Sequence, residues 1–176
     1  SYCYAAFFAR DQARQDSWGD WVVVKQNALE KLRRMRTDLR GARVYLGSVT
    51  DPYQPVERRL RLVRDLLPEL ADRSVRLVVQ TRSPDVVRDI DLFQRFEHIR
   101  INMTVTTDSE RVRRAFEPGC PTTSRRLRAI ETVAASGLPC SITMTPLLPL
   151  DDPRQFARQV ASTGVTKFVV QPFHTE

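Results

Sequence analysis

The sequence has little of what marks several common protein classes. Its 176 residues include only six glycines, and neither of the common glycine-rich phosphate-binding loops occurs. No apolar run reaches the roughly 18 residues that suggest a membrane span, and the first residues lack the order of a secretory leader. We therefore expect no Rossmann or P-loop nucleotide site, and we expect a soluble, cytoplasmic protein without a membrane partner.

Cysteine is also scarce. The three cysteines Cys3, Cys120 and Cys140 are odd in number and far apart in sequence. This argues against a disulfide framework and fits a reducing compartment. Cys120 and Cys140 have no metal-ligand spacing to each other or to Cys3, which predicts structural roles for both.

Lysine is rare among the cations, although the chain is basic. Only Lys25, Lys31 and Lys167 are lysines among 28 Lys and Arg residues, and the formal net charge is +7. Such a charge is compatible with binding to nucleic acid phosphates. The densest runs, 31–36 and 57–61, also fit the solvated faces of amphipathic helices with acidic neighbours, which is the favoured interpretation.

What the sequence does contain is an alternation of short apolar runs and helical patterns. Five β-branched runs are long enough for buried strands: 44–46, 75–79, 99–105, 141–144 and 167–170. Helical patterns cover about 26–39, 56–70 and 123–133, and two more helices begin near Pro84 and after Pro153. This alternation predicts a single α/β domain over 1–176 with a parallel sheet, either doubly wound or a full or partial (β/α) barrel.

Polar side chains follow every predicted strand. In a parallel barrel the carboxyl ends of the strands share one rim, where binding residues converge. Loops are polar in any case, but five clusters in register favour a site. The clusters are Ser48, Thr50 and Asp51; Thr81, Arg82 and Ser83; Thr104, Thr106 and Thr107; Thr145; and Gln171 and His174.

Several sequence pieces, in their order and spacing, resemble the spore photoproduct lyase-like branch of the radical S-adenosylmethionine (SAM) enzymes. The resemblance covers nearly the whole chain, and it implies a partial (β/α)6 TIM-like barrel whose first strand and cluster loop lie largely upstream of Ser1. The pieces are YCYA at 2–5, VKQN at 24–27, SVTDPYQPVE at 48–57, TRS at 81–83, RDIDL at 88–92, EPG at 117–119 and PLLP at 146–149.

The resemblance implies a four-iron four-sulfur cluster. The family holds it with a CxxxCxxC motif that has an aromatic residue just before the last cysteine. Tyr2 and Cys3 match that residue and the third cysteine, so Cys3 is the predicted metal ligand. The other two cysteines are expected upstream of Ser1. Iron held by three thiolates keeps an open position for SAM, whose reductive cleavage gives a 5′-deoxyadenosyl radical.

The resemblance also implies the residues that hold SAM. By position, Thr50 and Asp51 match the pair that meets the SAM amino group, and Arg82, between Thr81 and Ser83, stands where the family usually has a lysine near the carboxylate. A guanidinium can pair with a carboxylate in bidentate fashion. Thr104 or Thr106 would add a hydroxyl, while Tyr2 and the segment 145–148, beginning at Thr145, would line the adenine.

These positions also have plainer interpretations. Asp51 before Pro52 is a common turn residue. Thr81 and Ser83 are good caps for a helix beginning near Pro84, and Tyr2 could serve only in packing.

One departure from the branch bears on the reaction. The lyase uses a cysteine two residues before its Ser/Thr-Asp pair as hydrogen-atom donor, and here that position is Ser48. Repair of the thymine dimer by that route is therefore disfavoured. The resemblance implies a radical SAM enzyme with an unknown substrate, for which a nucleic acid is a candidate, and an electron donor such as flavodoxin or ferredoxin. The alternative is a non-catalytic binding protein derived from the barrel, with a basic nucleic-acid-binding surface.

Overall fold

The fold is built on one parallel sheet. The structure is a computed structural model that describes residues 4–9 and 11–172. Its five strands lie in the order β1-β2-β3-β4-β5, with every neighbouring pair parallel. The strands are β1 (Arg43–Leu46), β2 (Arg76–Thr81), β3 (Ile99–Thr104), β4 (Cys140–Leu147) and β5 (Phe168–Pro172).

Helices connect the strands as crossovers, as a parallel sheet requires. The crossover helices are α3 (Glu57–Leu60), α4 (Leu62–Asp72), α5 (Ile90–Phe93), α6 (Glu110–Phe116), α7 (Thr123–Ala135) and α8 (Pro153–Ala161), while α1 (Gln12–Asp16) and α2 (Ala28–Arg34) precede β1. Two 3-10 segments, Tyr4–Phe8 and Pro84–Asp89, complete the list. The predicted α/β architecture with a parallel sheet is thus confirmed.

The two faces of the sheet differ in polarity, because successive side chains of a strand point to opposite faces. One face is apolar and packs against the crossover helices; Leu77, Val79, Ile101, Met103 and Ile142 on it are at most 1% exposed. The other face is polar and carries Gln80 on β2, Asn102 and Thr104 on β3, and Ser141 and Thr143 on β4. A buried apolar core on one side and hydrogen-bonding groups on the other place any polar ligand on the second face.

The helix predicted over 56–70 is two helices. Arg61 between α3 and α4 has a left-handed backbone with φ of 54°. The break is stabilised by Glu57, whose carboxylate accepts the Val63 N–H at 3.1 and 3.2 Å and so satisfies a donor in the first turn of α4. The prediction of one continuous helix was wrong because this cap comes from a side chain of the preceding helix.

The helix predicted over about 26–39 ends early, and that boundary was wrong too. Helix α2 ends at Arg34 with Met35 as its C-cap. The Arg73 guanidinium, which follows α4, donates to the carbonyls of Met35 at 3.1 Å and Arg33 at 3.3 Å. The last carbonyls of α2 are therefore satisfied by a distant side chain instead of by a further helical turn.

The caps of the later helices follow their sequence signals closely. Thr122 accepts the Arg125 N–H at the start of α7, one residue before the helical pattern predicted over 123–133. Asp152 accepts the N–H groups of Arg154 and Gln155 ahead of Pro153 in α8. Ser83 caps the 3-10 segment at Pro84 by accepting the Asp85 N–H, as its alternative interpretation predicted.

Candidate active site

The polar clusters predicted after the first four strands lie together at the carboxyl edge of the sheet, whereas Gln171, predicted to follow the last strand, lies within β5. Because all the strand pairs are parallel, the residues after β1, β2, β3 and β4 share one rim. Thr50 is exposed, and Asp51, Arg82 and Thr145 are half-buried. Thr81, Ser83, Thr104 and Thr106 are buried. The rim is therefore a mixture of accessible polar groups and buried groups that support them.

Asp51 ties the end of β1 to the end of β2. Its Oδ1 accepts the Tyr53 N–H at 2.8 Å and the Thr81 hydroxyl at 2.7 Å, and its Oδ2 accepts the Arg82 N–H at 2.7 Å. The bond to Tyr53 is the turn geometry expected of an Asp before proline. Asp51 is thus both a turn residue and the carboxylate that orients Thr81 and Arg82.

Gly47 allows the loop that carries Asp51 to approach β2. Its φ is 105°, and a Cβ at this position would lie 2.1 Å from the Gln80 carbonyl oxygen. Only glycine fits both the backbone conformation and the contact. The register of the Ser48–Asp51 loop against β2 therefore depends on this one residue.

Arg82 belongs to a chain of three charged side chains. Its Nε donates to Glu117 Oε1 at 3.1 Å, and Glu117 Oε2 accepts from an NH group of Arg126 at 2.8 Å. The Arg82 side chain is 33% exposed, whereas those of Glu117 and Arg126 are 2% and 0% exposed. Two guanidiniums share one carboxylate, so the group carries a net positive charge that is accessible at Arg82.

Glu117 and Arg126 are functional candidates that the sequence reasoning did not assign. Glu117 lies in the EPG piece, whose role was not evident from sequence. Arg126 lies in helix α7 beside Leu127 and four residues before Ile130, on the stripe of residues that the core buries. An arginine on the buried stripe of an amphipathic helix was the available signal, because a buried guanidinium requires a partner.

Cys120 lies close to the same charged group. Its N–H donates to the Glu117 carbonyl at 3.1 Å, and its carbonyl accepts from Arg113 at 2.6 Å. Burial, followed by the charge of Glu117, raises the pKa of the Cys120 thiol, while Arg82 and Arg126 oppose this effect. The thiol is therefore protonated at neutral pH.

A hydrogen-bonded ladder crosses the polar face below the rim. Tyr45 donates to Gln80 Oε1 at 3.0 Å, and Gln80 Nε2 donates to the hydroxyls of Thr104 at 2.6 Å and Thr143 at 2.7 Å. Ser141 donates to the Asn102 side chain at 2.6 Å. The Thr104 hydroxyl is therefore engaged within the sheet.

Thr106, the other predicted hydroxyl at the end of β3, differs from Thr104 in its hydrogen bonding. Its side chain is fully buried, and its oxygen has no hydrogen-bond partner in the described part of the chain. Buried polar atoms without a partner are uncommon and costly. Of the two predicted threonines, Thr106 is the one whose hydroxyl is uncommitted.

A second layer of ion pairs lies behind the rim. Asp89 is fully buried and accepts from Tyr53 Oη at 2.9 Å, from Arg88 at 2.8 and 2.9 Å and from Arg64 at 2.8 Å. Burial alone raises the pKa of Asp89, but these hydrogen bonds outweigh it and lower the pKa overall. Burial, and next the charge of Asp89, raise the pKa of Tyr53. Arg88 also reaches Glu57 at 2.9 Å, which connects the loops after β1 and β2.

The sequence profile of the Radical SAM superfamily matches residues 1–160 of this chain. The chain belongs to the radical SAM superfamily. An uncharacterized protein of Methanocaldococcus jannaschii is 31% identical over 148 residues, which cover 84% of this chain and 55% of that protein. An uncharacterized protein of Mycobacterium tuberculosis is 31% identical over 163 residues, covering 87% and 48% respectively. The chain thus spans about half the length of these curated relatives.

Solved structures of spore photoproduct lyase share the fold of this radical SAM chain. The lyase complexed with dinucleoside spore photoproduct superposes with a TM-score of 0.60 at 17% identity, over 90% of this chain and 48% of the lyase chain. A mutant lyase with bound AdoMet and the same ligand gives a TM-score of 0.58 at 16% identity, over 85% and 46%. The predicted radical SAM family and the fold of a partial radical SAM barrel are confirmed, and the likeness to the lyase is one of fold.

Membership of the superfamily implies a four-iron four-sulfur cluster and SAM. The residues of the rim fit SAM in the chemistry of their polar groups: an accessible guanidinium at Arg82, a carboxylate at Asp51 and, at Thr106, a buried hydroxyl without a partner among the described residues. Cys3, the predicted metal ligand, and Tyr2, a predicted adenine neighbour, lie outside the described residues, as does His174. No helix within residues 4–9 and 11–172 is long and apolar enough to cross a membrane.

Proposed function

We propose that this chain forms the core of a radical SAM enzyme that reductively cleaves SAM at a four-iron four-sulfur cluster. When bound, the cluster supplies the electron that cleaves the SAM sulfonium to give a 5′-deoxyadenosyl radical. The observation that carries the proposal is the cationic group at the end of β2, in a chain that belongs to this superfamily. Arg82, Glu117 and Arg126 leave a net positive charge beside the carboxylate of Asp51.

The chain's own residues would bind and orient SAM. The Arg82 guanidinium suits the SAM carboxylate, since an Arg–carboxylate pair provides two directed hydrogen bonds. Asp51 would attract the amino group; its Oδ2 accepts the Arg82 N–H, and a carboxylate oxygen accommodates a second hydrogen bond. Thr50 and Thr145 lie on the same rim, and Cys3 would hold the cluster.

The test uses the full-length protein, reconstituted with iron and sulfide without oxygen and then supplied with SAM and dithionite. We expect 5′-deoxyadenosine to accumulate, as measured by chromatography. Cys3→Ala should remove cluster iron and activity, whereas Cys140→Ala, at the start of β4 and the opposite edge of the sheet, should keep both. A protein that binds cluster and SAM but forms no 5′-deoxyadenosine would contradict the proposal.

Asp51→Ala tests the assigned SAM amino-group position. The substitution removes three hydrogen bonds that orient Tyr53, Thr81 and Arg82, so it should abolish SAM cleavage and also loosen the rim. Asp51→Asn keeps an acceptor oxygen for Tyr53 and Thr81 but removes the charge and sets an amide N–H₂ against the Arg82 N–H. Loss of SAM cleavage in Asp51→Asn with an unchanged thermal unfolding temperature would separate the charge from the loop geometry. Full cleavage by both variants would show that the assignment is wrong.

We infer a nucleic acid as the substrate class, supported by a basic strip at the opposite edge of the polar face. Arg43 and Arg76 are cross-strand neighbours, and Arg100 lies beside Val78, two residues after Arg76, on the same face. All three are exposed, and none has an acidic partner in the ion pairs of the described chain. A binding protein without catalysis would use the same strip.

Salt dependence tests the nucleic-acid interpretation. If three phosphates meet the strip, the logarithm of the DNA-binding constant should fall with that of salt concentration with a slope of about −3, and Arg76→Gln should reduce the slope by about 1. Arg128→Gln, on the exposed surface of α7 at the apolar side of the sheet, is the matched control, because it removes the same charge away from the strip. Binding that is insensitive to salt would contradict the assignment.

A further inference from the structure

We propose that Glu117 is a positioning residue for SAM binding: it fixes the plane of the Arg82 guanidinium so that it can receive the SAM carboxylate. The inference rests on the proposed function and adds a residue, and a reason for the EPG loop, that the sequence did not assign. The two oxygens of Glu117 divide their roles, with Oε1 on Arg82 and Oε2 on Arg126.

The Glu117 carboxylate is itself held rigidly. Helix α6 ends immediately before it at Phe116, where the Glu117 N–H donates to the Arg113 carbonyl at 2.7 Å. Beyond the turn, Arg113 binds the Cys120 carbonyl at 2.6 Å. Arg126, fixed on α7, also donates to the Thr104 carbonyl at 3.1 Å and so anchors the group to the end of β3.

The need to neutralise Arg126 explains only one of the two contacts that Glu117 makes. A fully buried guanidinium needs a charged partner, and Glu117 Oε2 supplies one. Arg82, however, is one-third exposed and is already solvated, so the bond from its Nε to Glu117 Oε1 is not required to bury it. What that bond does is fix the orientation of a planar group at the rim.

The need for such a partner follows from the side chain at this position. A lysine ammonium is a compact point charge whose donors rotate freely, whereas a guanidinium binds a carboxylate well only when its plane is correctly oriented. The Nε edge of Arg82 faces Glu117, and this contact orients the terminal nitrogens of the guanidinium, whatever they contact before SAM binds. Arg126 offsets the charge of Glu117, so the charge of the Arg82 guanidinium remains available to an incoming carboxylate.

Glu117→Gln distinguishes a positioning role from a purely electrostatic one, because the two roles predict opposite changes in SAM affinity. Removing a negative charge beside Arg82 would by itself strengthen the binding of an anionic group. Loss of positioning should instead weaken SAM binding, by about tenfold if one charge-assisted hydrogen bond is lost. Decarboxylated SAM, which has the same adenosyl sulfonium but no carboxylate, should bind the variant as tightly as it binds the wild type.

The experiment measures equilibrium binding of both compounds to the anaerobic, cluster-loaded full-length protein without reductant, so that no cleavage occurs. Arg82→Met and the double variant should bind SAM with the same affinity, because Glu117 acts only through Arg82. In an Arg82→Lys background, Glu117→Gln should have a smaller effect, since an ammonium needs no orientation. If Glu117→Gln does not fold, Glu117→Asp keeps the charge on Arg126 but shortens the reach to Arg82, and it should weaken SAM binding selectively.

Three results would overturn the inference: unchanged or tighter SAM binding by the variant, equal weakening for SAM and decarboxylated SAM, or additive effects in the double variant. Each of these leaves the proposed function intact. Failure of the wild-type protein to bind SAM would instead remove the proposed function, and this inference with it.

Discussion

Asp89→Asn should be among the most damaging single substitutions outside the rim. The Asp89 carboxylate is fully buried and accepts four hydrogen bonds, three of them from the guanidiniums of Arg88 and Arg64. An asparagine in the same place turns an N–H₂ group towards those cations and removes the charge that balances them. Breaking a buried pair costs about 3–5 kcal/mol. Because Arg64 and Arg88 are 22% and 27% exposed and keep Asp91 and Glu57 as partners, we expect a loss of about 2–4 kcal/mol.

Urea unfolding at neutral pH measures this loss: the urea concentration at the midpoint should fall, while the slope of the unfolding free energy against urea concentration should not change. Asp91→Asn is the matched control, because Asp91 pairs with the same Arg64 but is 58% exposed, and its loss should have a much smaller effect. Tyr53→Phe removes only the fourth hydrogen bond and should cost about 1–2 kcal/mol. Equal effects of Asp89→Asn and Asp91→Asn would refute the claim that burial makes Asp89 important.

The pH dependence gives an independent check. The pKa of Asp89 is lower in the folded state than its ordinary value of 3.8, so its stabilising contribution is complete above that pH. The contribution is lost as the pH falls through the lower, folded-state pKa. The difference in unfolding free energy between wild type and Asp89→Asn should therefore be constant near neutral pH and shrink below pH 3.8. A difference that stayed constant to lower pH would contradict the assigned charge interaction.

Three further predictions concern other parts of the chain. Gly47→Ala should lower both the stability of the protein and its affinity for SAM, since the new Cβ would lie 2.1 Å from the Gln80 carbonyl oxygen. Gly137 has open space around it, so Gly137→Ala should lose less stability. Calorimetry measures the stability of each variant, and titration with SAM measures its affinity. Burial raises the pKa of the Cys120 and Cys140 thiols, so their alkylation at pH 8 should be slower than that of a free thiol and should accelerate as the pH rises. Mass spectrometry of protein digests follows the reaction at each cysteine. Alkylation as fast as that of a free thiol would contradict the raised pKa. Asp152→Ala should destabilise the protein by about 1 kcal/mol through loss of the α8 cap, as shown by urea unfolding, with Asp152→Asn retaining most of the stability.

The strands were predictable because their signal is local. Each is a short, nearly continuous apolar or β-branched run, which is what a buried parallel strand requires, and each observed strand overlaps its predicted run. The residues after β1 to β4 therefore lie on the predicted rim. Helix ends were less predictable where distant side chains decide them: Glu57 begins α4 and Arg73 ends α2 through hydrogen bonds that no local pattern encodes.

The candidate site was predictable as a set of positions but not as a set of contacts. The sequence placed Asp51 and Arg82 on one rim, and the structure adds that the Asp51 carboxylate accepts the Arg82 N–H. Glu117 is 35 residues from Arg82 in sequence, and their contact depends on how α6 and α7 pack against the sheet. Such a pairing is decided by tertiary structure, so the EPG piece could be noticed but not interpreted.

The separate sequence pieces that resemble the family are joined in the structure by hydrogen bonds. Tyr53 and Glu57 of the DPYQPVE piece bind Asp89 and Arg88 of the RDIDL piece, and Asp51 of the first piece binds the backbone of Arg82 in TRS. These contacts link the loops after β1 and β2 twice, at the rim and in the layer behind it. Displacement of one loop must therefore move the other. A substitution in the buried layer, such as Tyr53→Phe, should consequently reduce SAM affinity as well as stability, although Tyr53 Oη donates to Asp89 and not to a rim residue.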